Sequence, residues 1–169
     1  MKNLLFVLYF SLINLIITED ADPMNYICDN IYLGDSVAAG NEEYLKQYNI
    51  SVVVNCADVT SSYKNIKFLE LSLYDIESQN IFPKFEVAYN FIKRNSKNNT
   101  NILIHCMAGM SRSASSVVFY STKEKGWDYD TCITYMRERR PGVSPNNGFE
   151  RQLREYYDNH INKYRIYFN

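Results

Sequence analysis

Four cysteines, two histidines, six glycines and four prolines among 169 residues set the first limits on this chain. Glycine and proline are too scarce for a collagen-like sequence, and 46% hydrophobic with 15% aromatic residues can fill one core, which excludes a disordered chain. Cys28, Cys56, Cys106 and Cys132 are too few and too scattered for a disulfide scaffold, and no two lie close enough for a zinc ribbon. With His105 and His160 the only imidazoles, no metal site can be assembled, and the expected metal and cofactor complement is none. Charge of one sign is missing too. Eighteen Lys and Arg face nineteen Asp and Glu, so no global field draws the chain onto nucleic acid or an anionic membrane, and any anion binding is local.

A long hydrophobic run is also lacking. Leu4 to Ile17, broken by Ser11 and Asn14, is fourteen residues, too short to cross a bilayer unaided. Lys2 before it and Glu19, Asp20 and Asp22 after it fit a secretory leader, although the small-residue cleavage site is poor. The alternative is a helix that packs on the domain or touches a membrane surface. The sequence therefore divides into residues 1–22, a leader or helix, and a domain over 23–165. A reactive thiol favours the cytoplasm, because a thiolate is soon oxidised where disulfides form. The acceptors Asn49-Ile50-Ser51 and Asn98-Asn99-Thr100 bear on the secretory alternative: a glycosidase-sensitive mass shift would establish it.

Within the domain, Ile31 to Leu33, Ser51 to Asn55, Ile66 to Leu73 and Asn101 to His105 are strand candidates. Phe82, Phe85, Ala88, Tyr89 and Ile92 recur at helical spacing with Pro83 in the first turn, as do Tyr129, Cys132, Ile133 and Met136. Phe149, Leu153, Tyr156 and Tyr157 make a similar face behind an Asn146 cap. Strands alternating with helices predict an α/β fold with a mostly parallel central sheet flanked by helices.

The chemistry concentrates in one loop. Asn101 to Cys106 is a buried strand, Met107, Ala108, Gly109, Met110 and Ser111 form a tight connection, and Ala114 to Lys125 reads as helix. A strand, loop and helix in that order aim successive backbone N–H groups into one concavity at the positive end of the helix, which is an anion site. Cys106 opens the loop, where partial positive charge and Arg112 favour its thiolate. Arg112 closes it, offering a planar fork that matches two phosphate oxygens.

His105-Cys106, five residues, then Arg112-Ser113 resembles the active-site loop of the cysteine-dependent protein tyrosine phosphatase superfamily. Asn30-Ile31-Tyr32-Leu33-Gly34 resembles the opening strand and turn of its small dual-specificity members. Arg139-Arg140-Pro141 and Pro145-Asn146-Asn147-Gly148-Phe149 with Gln152-Leu153 resemble their closing helix pair, so the likeness spans about Tyr26 to Tyr157. The resemblance implies a phosphatase-like fold, a Cys106 nucleophile, phosphate binding by residues 107–112, and an upstream general acid. Asp75, after Leu71-Ser72-Leu73-Tyr74, is the choice for the acid; Glu70 and Glu77 are its competitors. It further implies that Ser113 hydrogen-bonds the sulfur, that His105 and Asn146 brace the loop, and that Arg140 lies near the substrate.

Other residues carry ordinary readings beside these. Cys28 and Cys132 suit an inert core, as does Cys56, but Cys56 ends a strand much as Cys106 does. If those strands are neighbours, it could trap an oxidised Cys106, a layout that resembles some relatives. Arg137, Arg139, Arg140, Arg151 and Arg154 could form a second anion patch, yet Glu150 with Arg154 and Arg151 with Glu155 also suit pairs on a solvated helix. The expected function is hydrolysis of phosphotyrosine, with phosphoserine and phosphothreonine, in a phosphoprotein. A phosphoinositide or RNA 5′-triphosphate phosphatase is the rival, disfavoured because the loop carries no Lys. A non-catalytic phosphopeptide reader is the alternative of another class.

Overall fold

The computed structural model describes residues 22–97 and 100–163; the apolar run 4–17 and the second glycosylation acceptor's Asn98 and Asn99 lie outside them. Five strands form one sheet: β1 (Met24–Cys28), β2 (Ile31–Gly34), β3 (Ile50–Asn55), β4 (Lys67–Glu70) and β5 (Asn101–His105), in the order β1-β2-β5-β3-β4. The pairs β2 with β5, β5 with β3 and β3 with β4 are parallel, and β1 with β2 is antiparallel. The mostly parallel sheet is as expected; its antiparallel edge is not. Asp29 and Asn30 both take positive φ, 49° and 61°, which makes a two-residue hairpin between β1 and β2.

Alternation along the central strands sends side chains to two cores. Ile102 and Ile104 of β5, with Val52 and Val54 of β3, face the larger one. It is covered by α3 (Phe82–Asn95), α4 (Arg112–Lys125), α5 (Tyr129–Arg137) and α6 (Asn147–Tyr157). Phe85, Phe119 and Phe149 are fully buried there, each contributing roughly 1.5–3 kcal/mol. Leu103 and Val53 face the smaller core with Met24, Ala38, Ala39 and Leu45. Two short helices close that side, α1 (Ser36–Gly40), capped by Asp35, and α2 (Glu42–Gln47), capped by Asn41.

Two sequence ranges need correction. The strand expected over Ile66 to Leu73 ladders only from Lys67 to Glu70, because Ser72 takes φ 48° and leaves the strand conformation. Leu71 and Leu73 are nonetheless buried. The helix expected from Ala114 begins at Arg112, so both residues closing the loop stand in its first turn. From Ser113 to Thr122 it is buried on every side, serines included, and the apolar spacing of its N-terminal half is correspondingly blurred. A π-helical turn, Asp158–Asn162, extends α6. No helix among the described residues is long and apolar enough to cross a membrane.

Candidate active site

Three adjacent parallel strands end at one cleft, as the carboxyl edge of such a sheet favours. Beyond β5 lies Cys106, beyond β3 lies Asp58, and beyond β4 lies Asp75. The cleft has a volume of about 490 Å³ and is lined by the 106–112 loop, by Asp75 and Glu77, and by Ser144 to Asn147, where the α5–α6 connection enters α6. A cavity of about 440 Å³ against α1 and α2 contains none of these groups.

The loop keeps its curve through Gly109, at φ 67° with the Gly34 carbonyl only 2.6 Å from where a Cβ would sit. Cys106 is 2% exposed at the base. Burial alone would raise its thiol, but the Ser113 hydroxyl and the N–H groups of Ser113, Gly109 and Met110 outweigh it and hold the group below the ordinary thiol value. The Ser113 hydroxyl donates to Sγ at 3.2 Å. Arg112 is anchored from behind: Nη1 donates to Asp58 at 2.7 Å and to the Leu73 carbonyl at 3.1 Å. Its Nε is buried without a hydrogen-bond partner. The Arg112 hydrogen bond in turn holds the Asp58 carboxyl below its usual range.

Asp75 sits across the cleft, accepting from Ser111 Oγ at 2.7 Å and Asn146 Nδ2 at 2.7 Å, with Arg112 Nε 3.8 Å from its other oxygen. Of its competitors, Glu70 points away and accepts from the Ser61 N–H at 2.8 Å. Glu77 lines the mouth, where Asn147 reaches it at 3.3 Å. Asn146 divides its work: its backbone N–H donates to Ser111 Oγ at 3.1 Å, which braces the loop, while its side chain bonds Asp75 and caps α6 through the Phe149 N–H.

The Asp75 segment is pinned to α6. Gln152 accepts from the Ile81 N–H and donates to the Gln79 carbonyl, at 3.1 and 2.9 Å. At Gly148 an added Cβ would lie 2.0 Å from the Glu77 carbonyl oxygen. Gly148→Ala is therefore expected to push that segment off the helix and to cost roughly 1–3 kcal/mol, read from denaturant midpoints; an unchanged midpoint would refute the close packing.

His105 is 1% exposed, and burial lowers its imidazole to about 4. Its Nδ1 lies 3.3 Å from the Cys106 carbonyl, which can only accept, so that nitrogen carries the proton and Nε2 accepts from the Tyr63 hydroxyl at 2.6 Å. His105 thus fixes the start of the loop as a neutral group. Between pH 6.5 and about 4 the unfolded chain binds a proton there that the folded protein refuses, so stability falls with falling pH, by about 3 kcal/mol across the window. Unfolding of wild type and His105→Asn between pH 4 and 7 checks this: the variant loses that component, and parallel curves would contradict it.

Cys56 neighbours Cys106 as the strand ends predict. Asn55 pairs with His105, and the Cys56 N–H donates to the His105 carbonyl at 2.8 Å. Burial first, and Cys106 second, push its thiol well up. Cys28 and Cys132 are buried in the larger core, Cys132 with a thiol raised by burial to about 12. The five arginines do not assemble a second anion patch. Arg154 is spent on Asp130 and Glu150, Arg137 on the Val143 carbonyl, and Arg139 lies over the Tyr135 ring, while Arg151 approaches Glu155 at 4.0 Å. Arg140 meets the loop from behind, donating to the Gly109 and Ala108 carbonyls and to Asn25.

Asp58, Tyr63, Gly148 and Gln152 are site residues to which sequence reasoning assigned no role. Asp58 and Tyr63 lie in the irregular β3–β4 connection, where nothing local distinguishes them. Gly148 and Gln152 belong to a stretch already singled out by resemblance, and that was the available signal.

Residues 31–159 match the family model of the dual specificity phosphatase catalytic domain. The chain is 33% identical over 144 residues to protein phosphatase Slingshot homolog 3 of Mus musculus, covering 84% of this chain and 22% of that one. It is 33% identical over 139 residues to tyrosine-protein phosphatase vhp-1 of Caenorhabditis elegans, covering 80% and 21%. It therefore spans about a fifth of the length of these relatives. Among solved structures it is similar to DUSP15, with a TM-score of 0.78 and 26% identity over 85% of this chain and 92% of that one. It is also similar to the human tyrosine phosphatase-like serine/threonine/tyrosine-interacting protein, at 0.74 and 26% over 82% and 97%. The match over residues 31–159, which takes in four of the five strands, the cleft and the helices behind it, shows that the chain belongs to the dual specificity phosphatase catalytic domain family.

Proposed function

We propose that this domain hydrolyses phosphotyrosine, together with phosphoserine and phosphothreonine, in phosphoproteins through a cysteinyl-phosphate intermediate. One observation carries the reading: a thiol held below its ordinary value lies under converging N–H groups, beside a buried Arg112 Nε that makes no hydrogen bond. A phosphoryl group in the cleft meets the loop N–H groups and the open edge of the guanidinium, which together stabilise charge spreading over its equatorial oxygens. The Cys106 thiolate attacks phosphorus in line as the bond to the leaving oxygen breaks. Asp75 gives that oxygen its proton, then as carboxylate takes one from the water that cleaves the S–P bond. Ser113 hydrogen-bonds the departing sulfur and eases the second step.

The names of the relatives, protein phosphatase and tyrosine-protein phosphatase, support a phosphoprotein substrate. Turnover of p-nitrophenyl phosphate by the full chain, abolished in Cys106→Ser, tests the reading. Binding of phosphopeptide without turnover would instead make the domain a reader.

We also propose that Cys56 protects the nucleophile. Peroxide oxidises the Cys106 thiolate to sulfenic acid; the Cys56 sulfur attacks that sulfur, the hydroxyl leaves as water with the Cys56 proton, and a disulfide forms. After mild peroxide and then thiol, Cys56→Ser is expected to recover less activity than wild type. Peptide mapping that found Cys106 as sulfinic acid beside a free Cys56 would end the proposal.

A further inference from the structure

The mouth of the cleft carries exposed apolar side chains beside Glu77 and Asn147. Met107 and Met110 line it, 47% and 43% exposed, and Tyr74 and Ile76, 60% and 53% exposed, bracket Asp75. Val37, 74% exposed, follows Ser36, whose N–H and hydroxyl both donate to the Met107 carbonyl. One exposed apolar side chain is ordinary on any surface, but two that line the opening, with three more that directly adjoin in sequence Asp75 or the loop-binding Ser36, need an explanation. The remainder of the opening is short of positive charge. Among the described residues the lining holds one cation, Arg112, already bonded to Asp58, and beside the acid Asp75 it holds the Glu77 carboxylate. Arg140 faces the loop carbonyls and lies 3.6 Å from Asp35. A second anion beside the bound phosphoryl group would find repulsion there, whereas a large apolar side chain would find surface to cover.

We infer that the mouth selects a singly phosphorylated segment with large apolar residues next to the phosphorylated one, and rejects acidic neighbours and polyphosphorylated ligands. This rests on the phosphatase reading of the same cleft. Tyr74 and Ile76 act as specificity determinants outside the chemistry, flanking the acid rather than touching the phosphoryl group.

The test uses the full chain and phosphotyrosine peptides identical except for the residues on either side of the phosphotyrosine, which are Leu, Ala or Glu. The Leu-flanked peptide is expected to exceed the Ala-flanked one in kcat/KM by about tenfold, the gain typical of modest extra apolar contact, and the Glu-flanked one by more. In Tyr74→Ser and Ile76→Ser the advantage of Leu over Ala shrinks below about threefold, while turnover of p-nitrophenyl phosphate is unchanged. Equal rates across the panel, preference for Glu, or faster turnover of a soluble phosphatidylinositol bisphosphate than of the Leu peptide would overturn the inference. Failure of wild type on p-nitrophenyl phosphate is a different result, since it removes the phosphatase reading itself.

Discussion

Asp75→Asn is expected to slow turnover of phosphotyrosine peptides by about 10² to 10⁴ while KM changes little, because general acid catalysis is typically worth that much and acts only in the transition state. The carboxylate is held by Ser111 and Asn146 at 2.7 Å each, so it is positioned before substrate arrives. An amide of nearly the same shape fills the place but cannot deliver the proton. The loss therefore shrinks for leaving groups stable as anions, and steady-state rates across substrates of graded leaving-group acidity read this out. Glu77→Gln, removing the other carboxylate of the mouth, keeps a near-normal rate; the opposite pattern would transfer the acid to Glu77.

Arg112→Lys is expected to lower kcat/KM by about 10² to 10³ although the charge is kept, the usual loss when one preorganised donor to a developing charge is removed. Lysine presents one ammonium where the guanidinium divides its work. Nη1 is held by Asp58 and the Leu73 carbonyl, and the edge carrying Nε, which makes no hydrogen bond, is left for phosphate. Inhibition by vanadate, which adopts five-coordinate geometry like that of the transferring phosphoryl group, weakens by a similar factor. A Lys variant with wild-type rate and vanadate affinity would mean that Arg112 is a structural partner of Asp58 alone.

The two residues differ in how they could be read from sequence. Cys106 and Arg112 stand at the ends of one short loop between a strand and a helix, and a chain that turns so tightly brings its ends together without help from the rest of the fold. Asp75 rests on a weaker cue, the upstream general acid that the family resemblance implies together with its position after a strand, because it reaches the loop only through side chains 36 and 71 residues away in sequence. Asp58 gave no cue at all: its partner lies 54 residues ahead. The same distinction runs through the fold. β3 and β5 are β-branched or aliphatic runs buried on both faces and announce themselves. α1 and α2 have five and six residues, too few for an apolar period, and only Asp35 and Asn41 mark their starts. For the edge strand β1 the cue in the sequence is Asp29-Asn30, a pair whose tolerance of positive φ suits a hairpin.

Trapping the intermediate tests the central claim most directly. The full chain mixed with a 32P-labelled phosphotyrosine peptide, quenched in acid within the first turnover and digested, is predicted to carry label on the peptide containing Cys106. Asp75→Asn is expected to accumulate more of it with a good leaving group, because the water-activating carboxylate is gone, and Cys106→Ser none. Peptide turnover without label on Cys106, or undiminished turnover in Cys106→Ser, would contradict the account.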